Sequence, residues 1–540
     1  MNVLGICGGV RLGNWDSAAA LAVDGKVVAA AEEERFTRVK HAPGSFPTNA
    51  IHYCLAEQGI DIRDVDLVVF PGRTYKNMTE RIKSYFLFAH GHAPKIELCD
   101  HHAAHAASVY FTSGLSDALV VTFDFSGDGH ATTVSLAKGN ELKLLQSWEY
   151  PQSLGLFYAM ITQHLGFDFG EDEYKVMGMA SYGRPTMDLS WLLSPGEGTY
   201  ALDASVLRST ITGEPPLSPQ ERFYRDEMEK RLGPARPKRG EITALQQDLA
   251  ASAQRQLEIV VEKLIKPFAA QHGSRNLCLA GGVAMNCVMN QKLAESGQFD
   301  SVHLSPVSGD SGLAMGAALL RSQRPNGAAN QTLATAALGP AYSDSEIKKS
   351  FDEVGAPYRE VSDPAEIAAE AVAAGKVVGW HQGRMEYGAR ALGQRSILAD
   401  PRIASMKDRV NSVVKFREGF RPFAPSAIRE GADEFFEKIY DCPFMTSTFT
   451  VRPSMRKAIP AVTHVDGTAR VQTVSKDTSP LYHRLISAVG RRTGVPVVLN
   501  TSFNIKGQPI VENPNQAIST FYGSGLDMLV IGSFVLEKKP

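Results

Sequence analysis

Residues Asp117–Gly129 read DALVVTFDFSGDG, an apolar strand-forming run that ends on Asp124 and breaks into a glycine turn carrying a second acid. HATTVSLAKGN and ELKLLQSWEY follow, continuing the run as a hairpin that turns at Gly139-Asn140. The start of the chain has the same plan about 115 residues earlier: NVLGICGG, SAAALAVDG and KVVAAAEEE, turning at Asp24-Gly25.

A strand–turn–strand–turn–strand unit written twice predicts a duplicated α/β domain of the actin and sugar-kinase class (ASKHA), which binds nucleotide phosphates in the cleft between its halves. Two later glycine loops extend it. Asn276–Asn286, NLCLAGGVAMN, reads as a buried strand, a Gly-Gly turn and a helix start. Ser305–Leu319, SPVSGDSGLAMGAAL, reads as a polar loop centred on Asp310, followed by a helix of small residues. Such loops offer backbone N–H groups to a phosphate or ribose, although glycine also serves turn geometry alone.

The length, 540 residues, exceeds one ordinary core, so two domains are expected. Ser322–Leu338, SQRPNGAANQTLATAAL, reads as a linker, dividing the chain into residues 1–338 and 339–540. The second domain shows a helix over Asp363–Ala374 and strands over Lys376–His381 and Pro496–Asn500. Arg184–Arg239, with its prolines and mixed charges, reads as an irregular insertion on the first. A formal net charge of −2 disfavours nucleic acid as the main partner. Six scattered cysteines without a CxxC pair suit reduced thiols in a cytosol. No signal peptide and no run of about 18 apolar residues is visible, so a soluble cytoplasmic protein without a membrane span is expected.

Two clusters carry chemistry. The first is Cys99–Tyr110, CDHHAAHAASVY, which places three of 14 histidines in one short stretch. On a helix His101 and His105 share a face while His102 points elsewhere, and the alanines allow close packing. Two imidazoles need further ligands to hold a metal; Asp124 and then Asp310 are the candidates. His101, His105, Asp124 and Asp310 would suit Fe²⁺, Mn²⁺ or Zn²⁺ better than Mg²⁺. The alternative is a helix whose histidines merely cap it and bond backbone. The second cluster, GRMEYGARALGQRS (Gly383–Ser396) with KFREGFRPFAP (Lys415–Pro425), gathers Arg384, Arg390, Arg395, Lys415, Arg417 and Arg421. Guanidiniums among glycine, proline and aromatics suit small dianions; Arg470 and NTSFNIKG (Asn500–Gly507) add donors. The alternatives are salt bridging to Glu386, Glu418 and Asp400 and, disfavoured because the cations form no long stripe, a nucleic-acid surface.

These stretches, with AEEERFTRVKH (Ala31–His41), SLGLFY (Ser153–Tyr158), EYKVMGMASYG (Glu173–Gly183), SILADPR (Ser396–Arg402), FRPFAPS (Phe420–Ser426) and LNTSFNIKGQPIVE (Leu499–Glu512), resemble the O-carbamoyltransferases of the NodU and tobramycin carbamoyltransferase type over nearly the whole length. The resemblance implies a TsaD-like, actin-like domain followed by a YrdC-like α/β domain. It implies that ATP, with its Mg²⁺, and carbamoyl phosphate give carbamoyl adenylate in the YrdC-like domain. The first domain then transfers the carbamoyl group to a hydroxyl of a small-molecule acceptor, an antibiotic or sugar-like natural product. Iron would sit on His101, His105, Asp124 and Asp310. Carbamoyl phosphate and ATP would meet Arg390, Lys415, Arg421, Arg470, Asn500 and Ser502, with Lys415 and Arg421 catalytic. The adenylate would lie against Asp124, Ser126, Gly127, Gly281, Gly282 and Asn286. The family's usual His-Asp after the first strand is Trp15-Asp16 here, in GNWDSAAAL, leaving Asp16 or a histidine of another loop as base, or the metal and adenylate alone. The alternative role for Trp15 is to stack on a sugar or ring acceptor. The acceptor's identity, to which the Arg184–Arg239 insertion would contribute, the metal and the oligomeric state, a homodimer among the options, stay open. A tRNA-modifying carbamoyl or threonylcarbamoyl transferase and a non-enzymatic ATP-binding regulator are the alternatives.

Overall fold

A computed structural model describes residues 1–9, 15–208, 222–322, 330 and 332–538. Two five-stranded sheets carry the doubled plan. The first contains β1 (Asn2–Cys7), β2 (Ala18–Val23), β3 (Lys26–Glu32), β4 (Leu67–Pro71) and β5 (Lys95–Cys99), in the order β3-β2-β1-β4-β5. β6 (Asp117–Gly127), β7 (His130–Lys138) and β8 (Glu141–Glu149) begin the second. A separate hairpin, β9 (Leu193–Gly196) and β10 (Thr199–Leu202), comes next, and β11 (Asn276–Ala280) and β12 (Ser301–Leu304) complete the second sheet as β12-β11-β6-β7-β8. Numbered within each repeat, both orders are 3-2-1-4-5, the duplicated actin-like topology. The central strands pair in parallel with the crossover strands, β1 with β4 and β6 with β11. The β6, β7 and β8 meander is antiparallel. Asp24 and Gly25 both have positive φ, 51° and 84°, as a two-residue primed hairpin turn requires.

Small residues set the helix packing around these sheets. A Cβ on Gly316 would stand 1.8 Å from the Ala104 carbonyl oxygen, so the Gly312–Ser322 helix touches the backbone of the His101–Tyr110 helix. The alanines of HHAAHAAS are the other half of that contact. The Arg184–Arg239 region is more regular than its composition predicts. It contains the β9–β10 hairpin and the Asp226–Leu232 helix, and Tyr200 anchors the hairpin by stacking on Trp148 at 5.6 Å. Residues 209–221 of this insertion lie outside the described residues.

The chain divides into two compact units. Met1–Trp15, Ala19–Val27 and Ile60–Leu333 form one; Asp16–Ala18, Val28–Gly59 and Ala334–Pro540 form the other. Of the expected linker, residues 323–329 and 331 lie outside the described residues. Within it, Leu333 N–H bonds the Thr112 carbonyl, and Tyr387 N–H bonds the Ala336 carbonyl. This division differs from the reading of 1–338 and 339–540 by a few residues at the linker and, more substantially, by Val28–Gly59. The reason is polar. Arg35 is buried and donates to Glu32 and to the Gly388 carbonyl, while Gly388 N–H donates back to Glu32. Arg38 donates to the carbonyls of Pro509 and Ile510. Ala31–His41 is therefore wired into the second unit, which sequence periodicity cannot reveal.

The second unit is built on a mixed eight-stranded sheet, ordered 359–360, 534–537, 528–531, 378–381, 395–399, 497–502, 424–428 and 472–474. Alternation covers both faces. Trp380 and Leu398 join Val372 and Leu485 of the Pro364–Ala373 and Pro480–Thr493 helices. Ile397 and Leu499 join Phe351 and Phe521 of the Asp344–Val354 and Pro514–Tyr522 helices. The expected helix forms over Pro364–Ala373, with Asp363 accepting from Ala365 and Glu366 N–H as its N-cap. Among the described residues no helix is long and apolar enough to cross a membrane.

Candidate functional site

In the first unit the Asp100 carboxylate caps the His101–Tyr110 helix through Ala103 N–H, and helical spacing then brings His101 and His105 to one face. β6 delivers Asp124, and the loop before Gly312–Ser322 delivers Asp310. One ligand atom from each of the four lies within 4.8 Å of the others. His101 Nε2 and His105 Nε2 are 2.9 and 3.1 Å from Asp124 Oδ2, and 4.0 and 3.5 Å from Asp310 Oδ1. Burial pushes the His105 imidazole down, but Asp124 and Asp310 outweigh it and lift it to about 9. Burial raises Asp124 and the two imidazoles overcome it, holding that carboxyl well below its usual range. Asp310 is raised by burial and by the neighbouring Asp124 charge. Two imidazole nitrogens and two carboxylate oxygens, packed this closely and mostly buried, form a donor set fit for one borderline divalent cation.

Neighbouring residues hold these donors in place. A Cβ on Gly127 would fall 2.1–2.4 Å from His101 ring atoms, so only glycine leaves that imidazole its seat. Asp128 accepts from Arg73, Thr74 and His101 N–H, each at 3.0 Å, fixing the helix start beneath the donors. Ser153 Oγ donates to the Asp124 carbonyl, and Phe125 N–H bonds Asp124 Oδ1 at 2.8 Å. His102 is buried against Thr122 Oγ1 at 2.6 Å, and burial with its neighbouring imidazoles pushes it down to about 3. Gly127→Ala is expected to lower divalent-metal affinity and to cost about 1–3 kcal/mol of stability through overpacking, read by calorimetric metal titration and thermal melting.

The residues expected around an adenylate divide into two kinds. Gly127 and Gly282 lie against the cluster; a Cβ on Gly282 would come 3.3 Å from Asp124 Oδ1. Gly281 (φ 89°) permits a close approach, since its Cβ would meet the Phe123 carbonyl oxygen at 2.0 Å, and its N–H donates to the Ser308 carbonyl. Asn286 caps the Cys287–Glu295 helix and exchanges amide bonds with Gln254, at 2.8 and 3.2 Å. Ser126 is half-buried, two residues from Asp124.

In the second unit Lys415 is buried at the end of a π-helical turn, Asn411–Lys415. Its ammonium donates to the Ser502 carbonyl and Oγ, and to the Asn504 carbonyl and Oδ1. Burial first, then the Arg417 and Arg421 charges, holds it well below the usual ammonium range. Asn500 donates to the Ala391 carbonyl, Ser426 Oγ and Gln472 Oε1, while its own Oδ1 is buried without a partner among the described residues. Arg390, Arg421 and Arg470 are half-buried, and Arg421 lies 3.6 Å from Glu418.

Not every cation of the sequence cluster is available to an anion. Arg395 is fully buried and donates to the carbonyls of Gln382, Gly383, Gln394, Glu512 and Pro340. Arg384 donates to the carbonyls of Gly339, Val28 and Leu338 and lies 3.5 Å from Glu57. Glu386 accepts the N–H groups of Leu392, Gln394 and Arg395, shaping the loop after Arg390. Asp400 pairs with Arg402. Asp16 pairs with His41, Nδ1 to Oδ1 at 2.7 Å. His41 and Gln472 escape the sequence reading as site residues; Asp128 is marked in advance only as the acid of a glycine turn, and Asn504 only as part of the polar loop NTSFNIKG.

Comparison with known proteins adds the following. A family model described as Carbamoyltransferase N-terminus matches residues 6–93 and 89–319, and one described as Carbamoyltransferase C-terminus matches 369–538. The nodulation protein NolNO of Sinorhizobium fredii is 38% identical over 97% of this chain and 79% of its own length. The 3'-hydroxymethylcephem-O-carbamoyltransferase of Amycolatopsis lactamdurans is 35% identical over 51% of this chain and 52% of its own. Among solved structures, full-length HypF in its phosphate- and nucleotide-bound form gives a TM-score of 0.39 at 13% identity, covering 61% of this chain and 56% of that one.

Proposed function

Because this chain belongs to the carbamoyltransferase family, we propose that it is an ATP-dependent O-carbamoyltransferase working in two half-reactions. The convergence of His101, His105, Asp124 and Asp310 carries this reading, and the cationic group around Lys415 in the second unit supports it. In residues 339–540, carbamoyl phosphate and water give carbamate and phosphate. A carbamate oxygen then attacks the α-phosphorus of ATP, carried with Mg²⁺, and displaces pyrophosphate. Arg390, Arg421 and Arg470 take up the anionic charge, while Lys415, Ser502 and Asn500 shape the floor beneath it. Confining carbamoyl adenylate within the protein guards it from hydrolysis.

In residues 1–338 the adenylate lies against Asp124–Gly127, the Gly281-Gly282 turn and Asn286, and a hydroxyl of a small molecule takes the carbamoyl group as AMP leaves. His101, His105, Asp124 and Asp310 would hold a divalent ion, Fe²⁺ foremost, which when bound supplies positive charge to phosphate and carbamoyl oxygens. The chain's own work there is to fix those four donors through Asp128, Gly127 and Ser153. The acceptor is a small molecule rather than nucleic acid, of the hydroxymethyl or sugar-alcohol type, and the ATP requirement suits a cytoplasmic enzyme.

The test is exchange of labelled pyrophosphate into ATP by purified protein, which needs no acceptor. Exchange that appears only with carbamoyl phosphate is expected; exchange indifferent to it sinks the reading.

A further inference from the structure

Lys415 belongs to the run NSVVKFREGF (Asn411–Phe420), and the residue after it has an unusual backbone. The Met406–Val410 helix passes into the π-helical turn Asn411–Lys415, which ends on Phe416 in the left-handed region, φ 47° and ψ 45°. Phe416 N–H closes the turn on the Asn411 carbonyl at 2.6 Å. A left-handed backbone crowds Cβ against the following carbonyl oxygen, so a bulky aromatic is an outlier there. The helices that end at Gly273, Gly355 and Gly494 give the same left-handed position to glycine.

Packing does not account for the strain. Phe416 is 56% exposed, whereas Val410 and Val414 just before it are fully buried in the core they share with Phe423 and Phe436. π-helical turns and backbone strain both gather at functional sites. The chemistry around the ring is cationic. Buried Lys415 precedes it, Arg417 follows it, and the charges of Arg417 and Arg421 both act on the Lys415 ammonium. An exposed aromatic among such cations is the pairing a nucleotide needs: a π face for the base and guanidiniums for the phosphates.

We propose that Phe416 is the stacking platform for the purine ring of ATP in the adenylating half-reaction; this rests on the O-carbamoyl transfer reading above. The left-handed backbone keeps the phenyl ring outside the core that Val414 enters, so the platform stands ready before ATP arrives. Every base has a π face, so this contact supplies affinity and orientation and leaves the choice between purines to other groups. Carbamoyl phosphate has no ring and makes no use of it. The strain at Phe416 and its exposure thus have one purpose, which separates the demands of the two substrates.

The test is labelled pyrophosphate exchange at varied ATP and, separately, at varied carbamoyl phosphate, together with thermal melting, for wild type, Phe416→Gly and Phe416→Trp. Phe416→Gly is expected to raise the half-saturating ATP concentration about 5–150-fold, the loss that removal of one base stack gives, and to leave that of carbamoyl phosphate unchanged. Its melting temperature is expected to equal or exceed that of the wild type, because glycine adopts this φ without a Cβ clash. Phe416→Trp, which keeps a π face, is expected to saturate with ATP as the wild type does. An unchanged ATP requirement in Phe416→Gly, a parallel rise for both substrates, or a lowered melting temperature overturns the proposal. Wild-type exchange that ignores carbamoyl phosphate faults the underlying reading instead.

Discussion

His105→Ala is expected to abolish carbamoyl transfer and bound divalent metal together, while carbamoyl-phosphate-dependent pyrophosphate exchange continues. The His105 side chain is fully buried, with Nε2 between Asp124 and Asp310 at 3.1 and 3.5 Å. Its removal deletes one of four converging donors and leaves the buried Asp124 carboxylate and the partly exposed Asp310 with less compensating charge. Loss of even an outer partner costs about 10–100-fold in metal affinity, so loss of a ligand is expected to exceed that. Metal content by elemental analysis, transfer by mass spectrometry and exchange by label measure the three consequences separately. Simultaneous loss of exchange in a folded variant would contradict two separated half-sites.

Lys415→Ala is expected to give the opposite pattern, with exchange falling about 10³-fold or more and the His105 cluster still binding metal. The ammonium ties Ser502 to Asn504 through four bonds and sits beside Arg417 and Arg421. Removing one preorganised group that stabilises developing charge typically costs 10²–10³-fold. Loosening the loop that presents Ser502 adds to this. The carbonyls of Ser502 and Asn504 lose a buried donor, so a stability loss of about 1–3 kcal/mol is also expected by thermal melting. Exchange at the wild-type rate would remove Lys415 from the adenylating site.

Local pattern made much of this molecule legible before any coordinates. The two hairpins gave the doubled sheet because alternation and Asp-Gly or Gly-Asn turns are properties of neighbouring residues. His101 and His105 announced a shared face because helical period is likewise local, and Asp124 stood at the end of an unmistakable strand. Long-range polar wiring was not legible. Arg384 and Arg395 look like anion binders by composition, yet they satisfy backbone carbonyls. Nothing in AEEERFTRVKH says that Glu32 and Arg35 will clasp Gly388, some 350 residues away, or that His41 will meet Asp16.

That clasp at Gly388 has a consequence for how the molecule can be taken apart. The loop carrying Arg390 owes its shape to side chains translated long before it, so the second unit is not severable at the junction near residue 338. Evolution by swapping whole cassettes would have to carry the early β-strand and helix along, and newly synthesised C-terminal sequence needs the N-terminal portion already at hand to complete it.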